Sequence, residues 1–271
     1  MFVTLFQSIS KFIFVIAIWN QWKYNRNHRS IYGISYDLFA ATFFSHLCLV
    51  WCTLNYKYSS LLITQAVNRF PLFYNTNNET PGTGNIPISL LILCNDILNI
   101  IGSIWVFKQL IFYRKTKHIY QGISPIFISV VCLFTVFNFF TLVCSLSNLP
   151  NNSGKFGIFY LEHINYIWVI GNLLESFKIL PQISLNWMGR STSGLSSTFI
   201  LMNLFSATLM LVTSIFDGNS TVSYFLRPYN YQPIFVTVFQ FILAVILFIQ
   251  EKYVYINSKP YLQKGKESSI V

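Results

Sequence analysis

The chain has 271 residues, of which 54% are hydrophobic and 10% are charged. A soluble domain normally carries roughly a quarter charged residues, so the composition excludes an ordinary soluble protein and predicts a membrane protein. The net charge is +10, but no polar segment shows a basic stripe with interleaved base-stacking side chains. We therefore expect no nucleic-acid partner.

Apolar runs predict an all-α membrane protein with seven transmembrane helices, because crossing a ~30 Å hydrocarbon core takes about 20 helical residues. The runs are residues 2–19, 34–55, 87–112, 123–147, 157–180, 196–215 and 233–256. A count of six or eight stays open. We interpret the first run as a retained helix and not a signal peptide, because no positive residue precedes Lys11 and no small-residue cleavage site follows.

Two unrelated signals predict the same orientation. With a lumenal N-terminus, segments 20–33, 113–122 and 181–195 and the tail hold most of the Lys and Arg residues, as the positive-inside rule requires of cytoplasmic segments. Three Asn-x-Ser/Thr glycosylation sequons all fall in the opposite loops, at Asn78, Asn151 and Asn219. We therefore expect a lumenal N-terminus and a cytoplasmic C-terminus.

One polar pattern occurs twice, offset by 161 residues (Gln21 to Gln182), and each copy lies between two apolar runs. The first copy contains Asn20, Gln21, Asn25, Ser30, Gly33 and Ser35, and the second contains Pro181, Gln182, Asn186, Ser191, Gly194 and Ser196. Repeated units in a membrane chain are typical of transporters whose site lies between the halves. We predict a gating role for Asn20, Gln21, Pro181, Gln182, Asn186 and Gly194.

Proline at position 181 removes a backbone hydrogen bond and is expected to kink the fifth helix, which would then act as a hinge. Gln182 is expected to satisfy freed backbone groups or to bond across to the first copy. Asn20 can continue a helix that proline would bend. The first helix is therefore expected to be stiffer than the fifth.

The second copy resembles the motif of the PQ-loop family, on the string Lys178-Ile-Leu-Pro181-Gln182-x3-Asn186-x4-Ser191-Thr192-x-Gly194-x-Ser196. This family includes the lysosomal cystine exporter cystinosin, vacuolar basic amino-acid exporters and, more remotely, the SWEET sugar transporters. The first copy departs from the pattern at Asn20, where the family usually has proline. Its ending, through Asp37, is similar to the cystinosin version. Strong similarity covers about a third of the chain.

The resemblance implies two parallel three-helix bundles joined by a linker helix. The first repeat would be residues 1–112, the linker helix with its loops 113–156, the second repeat 157–256 and the cytoplasmic tail 257–271. The resemblance also implies a vacuolar or lysosomal membrane.

Ionisable residues inside a membrane are costly, so we consider each a site candidate. The predicted substrate or proton pathway contains Asp37, Asp96, Asn99, Trp168, Asn172, Glu175, Lys178 and Asn203. Asp96 lies near the midplane of its run and is our first choice as proton carrier. Asp37 is expected to neutralise Arg29 or Lys178. For each acid, the alternative is a structural partner that holds helices together.

Asn203 occupies the position at which cystinosin-like proteins have an Asp tied to proton coupling, and asparagine cannot titrate. Coupling then either moves to another acid or is absent. Cys48 and Cys52 with His46 superficially suggest a metal site, but small packing residues are the ordinary explanation. We predict no metal and no cofactor.

These observations predict a transporter of a small polar solute, in the first instance an amino acid, with proton coupling left open. Its partners would be the lipid bilayer and the solute, and the sequence does not determine the oligomeric state. The alternative is a non-transporting seven-helix endomembrane protein, such as a cargo receptor or a trafficking or lipid-asymmetry factor. No nucleophile–base pair or phosphate loop supports an enzyme.

Overall fold

The computed structural model describes residues 2–70, 86–118, 120–146, 154–218 and 227–258, which form helices and no strand. The helices are α1 Phe2–His28, α2 Tyr36–Tyr58, α3 Ser60–Arg69, α4 Leu90–Phe112, α5 Pro125–Leu146, α6 Tyr160–Phe177, α7 Leu180–Gly189, α8 Ser197–Gly218 and α9 Ile234–Ile249. A π-helical turn, Gln250–Val254, follows α9. The predicted glycosylation sites Asn78, Asn151 and Asn219 and most of the predicted tail lie outside the described residues.

Six helices in the described ranges are long and apolar enough to span a membrane. They are α1, α2, α4, α5, α8 and α9 extended by its π turn. The remaining predicted span, 157–180, contains α6. Helix α6 is not among the six, because its polar side chains lower its mean hydropathy. The seventh span therefore stays a prediction.

Two helices continue beyond the apolar runs into segments predicted to be cytoplasmic. Residues 20–28 complete α1, and residues 181–189 belong to α7. An apolar run ends where the side chains become polar, whereas a helix ends where its backbone hydrogen bonds end. Both extensions end at an arginine in the left-handed conformation, Arg29 (φ 47°) and Arg190 (φ 48°). The short helix α3 was not predicted at all.

The two copies of the motif differ in helix continuity. Helix α1 is unbroken across Asn20, whose side-chain amide donates to the Ile16 carbonyl oxygen at 2.9 Å. The equivalent segment of the second copy is interrupted between α6 and α7, immediately before Pro181. Proline has no backbone N–H, so the ladder of hydrogen bonds cannot pass through it.

Helix packing follows the same plan in both copies. Helix α4 packs on both α1 and α2, and α9 packs on both α8 and α6. Between the copies, α1 packs on α8 and α2 packs on α6. Helix α5 contacts α6. Only 6% of the most apolar segment of α5 is buried inside the protein, whereas the corresponding share is 39–56% in the other five spans. The expected two three-helix bundles with a linker helix stay a prediction with which this packing is compatible.

Two apolar clusters enclose a polar centre. The first, near the motif loops, is built around three phenylalanines, with Phe199 at ring-centroid distances of 6.5 Å from Phe14 and 6.4 Å from Phe39. The second lies toward the other end and contains Tyr56 and Ile164. The polar side chains between them are therefore shielded from both ends of the helices.

The two motif loops touch backbone to backbone at Gly33 and Gly194. A Cβ built on Gly33 would lie 3.1 Å from the backbone nitrogen of Gly194, and Gly33 also has a positive φ of 78°. A Cβ built on Gly194 would overlap the Tyr32 carbonyl oxygen and the Gly33 backbone. Gly194 lies too close to the other loop for any side chain, and Gly33 is required mainly by its left-handed backbone conformation.

We expect Gly194→Ala to lower the melting temperature of the purified protein by several degrees. The added methyl group forces the two loops apart, and overpacking of this kind costs about 1–3 kcal/mol. Gly122→Ala is the matched control, because nothing lies within 4 Å of the Cβ it would add. Equal melting temperatures for the two variants would contradict the close contact.

Candidate functional site

The first copy of the motif binds the loop of the second copy through Gln21. Its Nε2 donates to the Gly194 carbonyl oxygen at 3.0 Å, and its Oε1 accepts from the Ser196 backbone N–H at 2.9 Å. Gln21 is completely buried. One side-chain amide thus satisfies two backbone groups that no helix satisfies.

The second copy makes the same two bonds in return. The Nε2 of Gln182 donates to the Gly33 carbonyl oxygen at 2.8 Å, and its Oε1 accepts from the Ser35 backbone N–H at 2.7 Å. We call these four bonds the glutamine clasp. Gln182 therefore does bond across to the first copy, but it binds the loop backbone and not the Gln21 side chain.

Each glutamine is oriented by a chain of amides in its own copy. Gln21 donates to Asn25 at 2.7 Å, and Asn25 donates to Gln109 at 3.1 Å. The corresponding chain in the second copy joins Gln182, Asn186 and Gln250 at 2.8 and 3.0 Å. Gln109 and Gln250 were not predicted. They also correspond to each other, on the third helix of each copy.

A cluster of buried charged groups lies at the centre of the protein. Lys11 on α1 donates to Oδ1 of Asp96 on α4 at 2.6 Å. His46 on α2 places Nδ1 3.0 Å from the same Asp96 oxygen. All three side chains are buried, and Asp96 is completely inaccessible.

The second copy contributes Glu175, near the C-terminal end of α6. Its Oε1 accepts from Lys178 at 2.6 Å and from Gln240 at 2.9 Å, and its Oε2 accepts from Ser45 at 2.8 Å. The same Oε2 lies 3.7 Å from Nε2 of His46. The imidazole therefore lies between one carboxylate of each copy. We call Lys11, His46, Asp96, Glu175 and Lys178 the charge cluster.

A cavity of about 20 Å³ borders the charge cluster. Its polar lining includes Lys11, His46, Asn99, Glu175, Lys178 and Asn203. Within the described part of the chain, the whole side-chain amide of Asn99 and the Nδ2 of Asn203 have no hydrogen-bond partner. The volume suffices for one water molecule. The unpaired amides around the cavity can form hydrogen bonds with a polar molecule that enters it.

Asp37 binds a different partner from the one expected. Its carboxylate accepts from the Ser124 backbone N–H at 3.1 and 3.2 Å, and it forms no ion pair with Arg29 or Lys178 in the described part of the chain. Ser124 precedes the first residue of α5. The expected neutralisation is therefore wrong: Asp37 attaches the start of α5, because the orphan backbone N–H groups there favour a negative charge.

Trp168 and Asn172 border the charge cluster on the other side. Both line a cavity of about 10 Å³ beside Asp96, and Trp168 also lines a larger cavity of about 540 Å³ toward the Tyr229 region. The Asn172 amide donates to the Trp168 carbonyl oxygen at 2.9 Å in its own helix. Trp168 therefore lies between the small central cavities and the larger one.

The sequence interpretation missed Lys11, His46, Ser45 and Gln240. Lys11 was treated only as part of the signal-peptide question, although a lysine inside an apolar run is a site candidate on the same grounds as an acid. His46 was discounted with the metal site. In the described residues, no group of three or more His, Cys, Asp and Glu side chains is placed to hold a metal ion.

We expect the double variant Gln21→Ala with Gln182→Ala to expose Ile34, which is completely buried beside the clasp. In a cysteine-free background carrying Ile34→Cys, an impermeant thiol reagent should label the double variant at least ~10-fold faster, since four lost bonds are worth ~1 kcal/mol each. Gln121→Ala is the control, because Gln121 bonds the same loop at Gly33 without reaching the second copy. Unchanged labelling of the double variant would contradict a closing role for the clasp.

The chain is similar in sequence to known proteins. The family model described as PQ loop repeat matches residues 164–223, which include the second copy of the motif. The uncharacterized protein YCL002C of Saccharomyces cerevisiae is 45% identical to the chain over 267 residues, covering 98% of this chain and 100% of that protein. The chain therefore contains a PQ-loop repeat and belongs to the same family as the yeast protein.

Proposed function

We propose that the protein transports a small zwitterionic solute, in the first instance an amino acid, across a vacuolar or lysosomal membrane. The observation that supports this proposal is the charge cluster, where fixed charges of both signs from both copies border a cavity with unpaired amides. Charges buried at membrane depth are costly and are typical of substrate and proton pathways.

The cluster has the chemistry that an amino acid requires. The ammonium groups of Lys11 and Lys178 are suited to a carboxylate, and the carboxylates of Asp96 and Glu175 are suited to an ammonium group. In the absence of solute, each lysine neutralises one carboxylate. A zwitterion could exchange partners with both pairs without changing the net charge of the site.

Alternating access would use the clasp as its gate. In this conformation the clasp and the apolar cluster around Phe14, Phe39 and Phe199 close the end of the helices that is predicted to face the cytoplasm. The central cavity has room for one water molecule. Opening requires the two copies to separate. The break before Pro181 offers a hinge in the second copy, whereas α1 is continuous.

The small cavity is also the observation that favours the alternative, a non-transporting endomembrane protein. Such a protein would use the buried charges only to hold the helices together. It would need neither a hinge in both copies nor space for a solute, and Asn20 in place of proline fits that role.

We expect wild-type protein in liposomes to exchange a radiolabelled mixture of the common amino acids, and Glu175→Gln to lower that exchange at least ~10-fold, the effect of about 1.4 kcal/mol on a rate. The substitution removes the counter-ion of Lys178 and leaves a buried charge unpaired. Glu162→Gln is the control, since Glu162 pairs with Arg69 at the surface. Absence of exchange by the wild-type protein would favour the non-transporting alternative.

If transport is coupled to protons, we propose His46 as the group that carries the proton. A neutral imidazole has one N–H and can donate to one carboxylate, whereas the protonated ring can donate to Asp96 and Glu175 at once. Protonation would thus draw the two copies together. Asp96, our first choice from the sequence, already accepts from Lys11, and a proton on Asp96 would leave that lysine without its counter-ion.

We expect His46→Gln to abolish accumulation of the amino-acid mixture driven by a proton gradient, while exchange at equal pH keeps half or more of its rate. His163→Gln is the control, because His163 is also buried but bonds Thr141 and no carboxylate. Gradient-driven accumulation by His46→Gln would overturn the assignment and leave transport itself standing.

A further inference from the structure

The outer faces of α1 and α4 form a groove that the proposed transport function does not use. Its volume is about 520 Å³, and it is lined by Trp19, Trp22, Arg26, Trp105, Lys108, Gln109, Phe112 and Tyr113. The groove lies at the same end of the helices as the clasp. We call it the tryptophan groove.

Three indole rings form the wall of the groove. The ring centroids of Trp19 and Trp22 are 4.8 Å apart, and Trp105 lies 5.6 and 6.1 Å from them. Trp19 and Trp105 remain 47% and 44% exposed. Trp19 and Trp22 are stacked, and Trp105 is tilted against both of them. Together the three rings present an amphipathic surface of the kind found at the boundary between acyl chains and headgroups.

Two cations border this wall. The Arg26 guanidinium lies 5.4 Å above the Trp22 ring, and Lys108 lies on the neighbouring helix. Both side chains are exposed, and no carboxylate lies within ion-pair distance of either in the part of the chain that the structure describes. The groove therefore has an uncompensated charge of two beside an apolar wall.

The second copy has no equivalent groove composition, although it shares the clasp. At the positions that correspond to Trp19, Trp22, Arg26, Trp105 and Lys108, it has Leu180, Ile183, Trp187, Ile246 and Ile249. The repeat therefore does not require tryptophans or cations at this place. Their concentration in one copy is a property of this groove and not a consequence of the fold.

We propose that the tryptophan groove binds one anionic phospholipid, with its phosphate headgroup between Arg26 and Lys108 and the upper part of an acyl chain along Trp19 and Trp105. The ligand must be partly apolar, because Phe112, which lines the groove, is 78% exposed and its chain neighbour Ile111 is 69% exposed. It must be anionic to match the two unpaired cations. Anionic lipids are enriched in cytoplasmic leaflets, the side predicted for this end of the helices.

The groove is also connected to the clasp by hydrogen bonds. Gln109 lines the groove, donates to the Trp22 carbonyl oxygen at 2.9 Å and accepts from Asn25, which accepts from Gln21. A bound lipid would therefore contact the residue that orients the first glutamine of the clasp.

The test uses the tryptophans as probes. The chain has six tryptophans, and Trp51→Phe, Trp168→Phe and Trp187→Phe leave only the three in the groove. This variant is placed in phosphatidylcholine bilayers that contain a minority of brominated phosphatidylserine or, in parallel, brominated phosphatidylcholine. Bromine quenches indole fluorescence on contact, so quenching reports which lipid occupies the groove.

We expect half-maximal quenching at a mole fraction of phosphatidylserine at least ~5-fold lower than that of phosphatidylcholine, the size expected of one well-placed cation at an anionic surface. Arg26→Gln with Lys108→Gln should remove this preference. Lys23→Gln with Arg114→Gln is the matched control, because it removes the same charge from neighbouring positions outside the groove.

Equal quenching by the two lipids would overturn the proposal. So would an equal loss of preference in both double variants, since it would show a diffuse surface attraction without a site. The measurement needs no solute, and its outcome is therefore independent of the proposed transport function.

Discussion

The glutamine clasp is the interaction on which the rest of the structure depends. It needs two buried side-chain amides and two loops whose backbones touch at glycine. The amides bind the opposite loop only when the loops are this close, and the loop backbones are satisfied only when the amides are present. A side chain at Gly194 would overlap the Gly33 backbone and push the two loops apart, which would weaken the bonds that Gln21 and Gln182 make to the opposite backbone. The clasp thus sets the separation of the two copies at one end, and that separation determines how closely the charged groups approach at the centre.

The protein is symmetric at the clasp and asymmetric at its centre. The amide chains of the two copies match residue for residue, because the same local problem, free backbone groups in a buried loop, recurs in each. At the centre the copies differ: Lys11, His46 and Asp96 come from the first, and Glu175 and Lys178 from the second. The proposed gate is built from matching parts. The proposed solute has different groups at its two ends, which fits a centre to which the two copies contribute different side chains.

The charges themselves limit how the protein can move. Each lysine neutralises a carboxylate of its own copy, so the two copies can separate without breaking a lysine–carboxylate pair, and with His46 neutral they break no ion pair at all. His46 and Ser45 are the groups that reach Glu175 across the gap. Breaking these contacts costs far less than separating two buried ions. This division of the cluster fits the proposed opening between the two copies.

The sequence by itself determined the helical membrane class, the repeat and the identity of the clasp residues, because periodic spacing and apolar length are local properties. It also selected Asp96 and Glu175, since acids in apolar runs stand out. Tertiary structure alone decided that His46 lies between them and that Asp37 attaches α5 instead of neutralising Lys178. Partners across helices depend on which faces meet, and a linear pattern does not contain that information until the helices are packed.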